Sequence, residues 1–449
     1  VDAADLARQT LTQHDCVPPH LVTRLLERGH AGVVEHWAGQ GEWFCAREWA
    51  RLLGAEGRRE EALDVLAPYL ATGWWTATET AAGLLETWGR ADEAITLSAA
   101  GTERGHPLAL GFHARLLARH GRAEEAFTLL KPHIDDWSCA AALVDVAGDA
   151  GRDDEAAGLL ASRVVDDHAC DSPWCCDRLD LTLAIGLLAR VRERQGRVDE
   201  AVALLRTRAV TSLNGRDQLA DLLARHDRLD ELRAYAAGDD LGDAVRSLAE
   251  RLEARGDVEG AIAAYQEADA SAPHSTVRLA ELLARHGRGD EALEVMGRLA
   301  ESYNGDDWIL HALSELHLRQ GRPEDGLARL DTLAAAREQP EEWDLLWIRL
   351  PLAAAAGRTD EAIAWARAHP EGDTSYAAPA VAELLAGAGR LEEAVAELRR
   401  HPGQNVHELA GYLVDLGRVD EAVAVLLQDR HGPTGPVWDS AAWRAQAAD

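Results

Sequence analysis

Few residues of this 449-residue sequence stand where they could do chemistry. The densest group is His168, Cys170, Cys175 and Cys176, inside VVDDHACDSPWCCDRLD at residues 164–180. Imidazole and thiolate together suit a tetrahedral zinc ion. Their spacing, C-x4-C-C, departs from the C-x2-C pairs of structural zinc sites, and adjacent cysteines seldom face one metal. An ordinary loop is therefore the reading, ahead of a metal site or a disulfide. With Cys16, Cys45 and Cys139 the cysteines number six, too few for a disulfide framework in a chain of this length.

Tryptophan is the second candidate, with fourteen against three Phe. Trp43, Trp75, Trp137 and Trp343 stand fourteen residues before a recurring glycine, and Trp308 thirteen before. Equivalent positions in a stacked array fall in one line, and a line of Trp has the energetic weight of an interface. The favoured expectation is structural: each Trp opens a helix by packing on the preceding hairpin. Trp37 and Trp365 are expected in the core of second helices.

Catalysis finds no support. The eighteen histidines are scattered, several directly before a repeat glycine (His120, His226, His286), where a cation suits a helix C-terminus. No phosphate-binding glycine loop, His-Glu-x-x-His or Gly-x-Ser-x-Gly motif occurs. No residue is assigned a catalytic, cofactor-binding or metal-binding role, no cofactor is expected, and none is singled out as partner-binding.

The elements that position these residues come from one pattern, Gly-Arg-x-acid-Glu-Ala. It is intact at Gly57, Gly89, Gly121, Gly151, Gly196, Gly287, Gly357, Gly389 and Gly417, and degenerate at Asp227, Gly256 and Gly321. The mean spacing is about 33 residues. A weaker thirteenth unit lies near Gly29. Ala recurs seven residues before the glycine (Ala50, Ala114, Ala280) and Leu four before (Leu53, Leu117, Leu283), the offsets of one helix face. Glycine ends that helix in the left-handed conformation. The acid pair opens a second helix, where the helix dipole favours negative charge. The closing Ala (Ala62, Ala126, Ala292) lets the two helices approach.

A helical hairpin of this period and junction sequence resembles the tetratricopeptide repeat family over nearly the whole chain. Ala261, Tyr265, Ala268 and Pro273 carry the family's small, aromatic, small and proline positions. Elsewhere the proline is generally absent, and several spacings are shorter than the family's. The resemblance implies an all-α solenoid of about twelve to thirteen two-helix repeats forming a right-handed superhelix with a concave, ligand-holding groove. The expected organisation is one array over 1–430, with 164–180 an insertion loop and 431–449 a tail or capping helix. The predominance of Arg over Lys, with abundant Ala and Gly, points to a GC-rich genome of the actinobacterial kind.

The net charge is −31, of which the repeat motifs account for −13. Such a surface repels phosphate backbones and anionic membranes. The partner is therefore expected to be a neutral or basic protein or peptide, with no nucleic acid and no membrane. No apolar run is long enough to span a bilayer, and a cytoplasmic protein is the expectation. The family's clamp of Lys, Asn and Arg for chaperone tails is not expected, because Lys131 is the sole lysine and Asn214, Asn304 and Asn405 are dispersed. The leading reading is a non-catalytic scaffold or adaptor. A peptide-sensing regulator is the alternative, and a helical-repeat RNA binder a less favoured one that the charge opposes.

Overall fold

The computed structural model describes residues 2–427, apart from 14–15, 103–105, 165–178, 209–211, 214–215, 239–241, 268–272, 304 and 337–341. The 164–180 segment with His168, Cys170, Cys175 and Cys176, and the 431–449 tail, therefore lie outside the described residues almost entirely.

The chain is an all-α solenoid of two-helix repeats. After a leading helix, Ala3–Thr12, thirteen hairpins follow one another among the described residues. The first is Pro19–Glu27 with Ala31–Gly39, hinged at Gly29, so the weak thirteenth unit is a full hairpin. The only strand pairing described is a short antiparallel contact of Ser212–Leu213 with Arg216–Asp217.

The hinge shows why the motif has its order. At Gly57 the backbone takes φ +85°, and nothing stands within 4 Å of where a Cβ would be. Conformation rather than space selects glycine there. The Arg58 amide donates to the Leu53 carbonyl at 2.9 Å, satisfying a helix C-terminal oxygen that would otherwise be orphaned. The Arg58 carbonyl then accepts from Ala62, beginning the next helix. Its guanidinium reaches forward three residues to Glu61. The same Arg-to-acid step recurs from Arg90, Arg122, Arg288 and Arg418.

This arginine also joins repeats. Arg152 reaches Glu124 at 2.9 Å, Arg228 reaches Asp199 at 2.7 Å, and Arg418 reaches Glu392 at 2.8 Å. In each case the acceptor is the first acid of the preceding copy. The acid pair therefore has divided duties, one member held within its own turn and the other across the repeat boundary. Below these exposed pairs lies the core: Ala50, Ala62, Ala114, Ala126 and Ala292 are fully buried where helices meet.

The chain forms two compact units, residues 85–362 and residues 1–84 together with 363–449. Within the second of these, the first hairpin packs on the last: Pro19–Glu27 lies against Val406–Asp415. A Cβ at Gly411 would stand 2.9 Å from the Arg24 guanidinium and 3.7 Å from Leu21, so glycine permits this approach. Asp415 receives Arg24 Nε at 3.0 Å and Arg28 at 2.9 Å. Burial pushes the Asp415 carboxyl up, and the two arginines more than offset this, holding it below the usual carboxylate range.

Candidate functional site

The predicted Trp positions do not share one fate. Trp43 is 2% exposed and meets Tyr69 and Trp74 edge to face, at ring separations of 5.2 and 4.8 Å. Trp343 is likewise buried, and Trp75 is half-buried. Trp137, at the same offset, is 46% exposed. Trp37 and Trp365 are half-buried, not fully in the core. The ring contacts of Trp43 are with Tyr69 of its own hairpin and with Trp74, just before the next repeat, and not with the preceding hairpin, and the full set is not one ladder.

A different aromatic arrangement lies on the first helices of three consecutive repeats, Pro273–Arg285, Asp307–Arg319 and Trp343–Ala355. Trp308 stacks on His274 of the preceding repeat, with centroids 4.7 Å apart and planes 18° from parallel. Trp347 stacks on His311 in the same way, at 5.4 Å and 17°. Parallel stacks of this kind hold large side chains rigid while leaving a π-face outward. Trp308 is 41% and Trp347 43% exposed.

The same helix faces carry carboxylates. Six residues before the hinge, four successive copies place an acid: Asp221, Glu250, Glu281 and Glu315. Asp221 accepts from Ser247 Oγ at 3.0 Å, and Glu250 stands 3.9 Å from Arg246. Among the described residues Glu281 and Glu315 make no ion pair and no side-chain hydrogen bond. A depression of about 280 Å³ lies between them, lined also by Val277, Ala280, Ala312 and Arg319. Trp308, Ala312, Glu315 and Arg319 follow one another at helical spacing, so rings and carboxylates occupy one face.

Sequence reasoning named Trp308 but missed Trp347, His274 and His311, which lie thirteen or ten residues before their hinges. Registering every copy on its glycine would have exposed both the aromatic neighbours and the file of acids. The histidines before the hinge also have a more specific role than the helix dipole. His120 and Arg119 together clasp Glu86 of the preceding repeat. His226 with Arg225 does the same to Glu193, and His286 with Arg285 to Glu253. The Arg119 and Arg285 hydrogen bonds hold Glu86 and Glu253 below the usual carboxylate range.

Cys45 and Cys139 are buried, and burial pushes their thiols up to about 12 and about 11, far from a reactive thiolate. Lys131 pairs with Glu155 at 2.7 Å, and Asn405 donates to the Ser375 carbonyl. Asn214 and Asn304 lie outside the described residues. Among the described residues no three His, Cys, Asp or Glu side chains are grouped to hold a metal ion, and no helix is long and apolar enough to cross a membrane.

Residues 283–346, which include the Trp308 helix, match the family model of the tetratricopeptide repeat. That stretch carries the tetratricopeptide repeat. Solved structures with a similar arrangement include a Naa15/Naa10 complex bound to HypK-THB, at 15% identity over 91% of this chain and 74% of that one, with a TM-score of 0.40. A tetratricopeptide repeat protein from Parabacteroides merdae is 13% identical over 65% of this chain and 98% of its own, with a TM-score of 0.28. MamA is 14% identical over 43% and 96%, with a TM-score of 0.26. No curated protein matches the sequence. Tetratricopeptide repeats form interaction scaffolds for proteins.

Proposed function

We propose that this chain is a non-catalytic scaffold or adaptor, acting in the cytoplasm, with residues 1–430 serving as one array. Its first-helix face at His274–Trp347 receives an extended peptide segment of neutral or basic character. The supporting observation is the pairing of two exposed, stacked Trp rings with Glu281 and Glu315, which have no ionic partner among the described residues. Exposed Trp held in a fixed rotamer loses little entropy on binding. A cationic side chain entering the depression would gain the two carboxylates, with the exposed Trp308 ring about one helical turn from Ala312 along the same face. Nucleic acid is disfavoured by the same carboxylates.

The reading is tested by fluorescence anisotropy with labelled extended peptides of basic, neutral and acidic composition. Basic peptides should bind best, and Trp308→Ala with Trp347→Ala should weaken them by about tenfold or more. Unchanged affinity in that double variant, or preference for the acidic peptide at this face, would reject it.

A further inference from the structure

One cleft reverses the charge balance of the chain. Although the sequence holds 77 acids against 46 basic residues, a cleft of about 740 Å³ along the first helices Leu181–Arg194 and Gln218–Arg225 is lined by five arginines. These are Arg190, Arg194, Arg208, Arg216 and Arg225, set against the two acids Glu193 and Asp221. Three of the arginines are committed to the array: Arg190 to Asp145, Arg194 to Asp153 and Arg225 to Glu193.

Arg208 is different. It is half-buried, yet among the described residues it forms no ion pair. Its Nη1 donates to Gln218 Oε1 at 2.9 Å, a neutral acceptor, and its Nε has no hydrogen-bond partner among the described residues. The carboxylates electrostatically coupled to it, Asp180 and Asp217, are each turned to a helix N-terminus, accepting from the Leu183 and Ala220 amides. Burial without a paired anion lowers the Arg208 pKa. A half-buried cation left uncompensated is a costly arrangement that a charged ligand relieves.

The arrangement is also positioned. Gln218 Nε2 donates to the Gly186 carbonyl at 2.9 Å, which turns the amide oxygen toward Arg208. Gly186 is what leaves room: a Cβ there would lie 2.7 Å from Gln218 Oε1 and 3.4 Å from Arg208 Nη1. Arg216 stands at the rim, largely exposed, with only a loose 3.9 Å approach to Asp221.

We infer that this cleft binds an oxyanion, the carboxylate or phosphoryl group of an acidic peptide residue, with Arg208 as the half-buried cation and Arg216 as the exposed one. Guanidinium forks match both groups in geometry, and a dry flank around Arg208 strengthens the interaction. The site is separate from the His274–Trp347 face and does not depend on it.

The experiment uses the full chain and three labelled peptides of one backbone, bearing glutamate, phosphoserine or glutamine at a central position, with inorganic phosphate as competitor. The charged peptides should bind about tenfold or more tighter than the glutamine peptide and weaken as salt rises. Tighter phosphoserine binding with phosphate competition identifies a phosphoryl source, and equal or tighter glutamate binding a carboxylate. Arg208→Met should lower affinity about tenfold, and Arg216→Ala severalfold, while Arg298→Met, far along the chain, leaves it unchanged. The exposed Arg216 variant keeps the test valid if Arg208→Met disturbs folding, which circular dichroism reports. Absence of binding by both charged peptides overturns the inference, as does full affinity in natively folded Arg208→Met or Arg216→Ala.

Discussion

Trp43→Ala and Trp137→Ala make the same change at the same place in the repeat, fourteen residues before the hinge, yet they should differ about twofold in cost. Trp43 is 2% exposed and wedged against Tyr69 and Trp74. A buried Trp removes about 200 Å² from water, worth about 5 kcal/mol at 25 cal/mol per Å². Losing most of that area and two aromatic contacts, and leaving a cavity that the neighbouring rings fill only in part, places the cost at about 3–5 kcal/mol. Trp137 already keeps 46% of its surface in water, and its removal opens onto solvent, not onto a void. Roughly half the area, about 100 Å², and no cavity term leave a cost of at most about 2.5 kcal/mol. Urea denaturation followed by far-UV circular dichroism compares the two, with amide exchange over Trp43–Ala71 reporting the local opening. Equal losses of stability would refute the argument that position within the array, and not the residue's offset in the motif, sets its energetic role.

Overpacking should be felt at the closing alanine: Ala292→Leu, at a fully buried helix contact, is expected to cost about 1–3 kcal/mol in the same denaturation assay. Two glycines with open space around them should respond with opposite signs. Gly121 has φ +78°, so Gly121→Ala is expected to cost about 1–2 kcal/mol. Gly158 lies inside the helix Asp153–Arg163, so Gly158→Ala is expected to add about 0.5–1 kcal/mol. Acid should loosen the contact between the first and last hairpins. Because Asp415 is held below its ordinary value near 3.9, its contribution is complete above that pH and is lost as pH falls through the lower, folded-state value. Amide exchange in Pro19–Glu27 should accelerate over that window, and Asp415→Asn should remove the pH dependence.

The hairpin architecture was legible because each motif residue acts within a few positions of itself. Gly57 needs only its own φ, Ala62 only its own helix contact, and both repeat often enough to be recognised. The Arg–acid ladder between repeats was less visible. Arg152 and Glu124 are 28 residues apart, and sequence shows the two motifs but not that a side chain bridges them. The candidate face was legible in part for the same reason: Trp308 registers with the other Trp residues, whereas Trp347 matters through its contact with His311. Charge counted over the chain pointed to a basic or neutral partner. A total of that kind averages away a local reversal such as the cleft around Arg208, which is assembled from two repeats.

The Arg24–Asp415 contact has a consequence for how the protein is made. Neighbouring hairpins find each other as soon as both have left the ribosome, but these partners are 391 residues apart. At about 5–20 residues per second, roughly 20–80 s of synthesis separates them. For that interval Leu21 and the two arginines face water without the glycine-floored seat that later receives them. A nascent chain stalled before Val406 would carry every earlier hairpin and still lack this one closure.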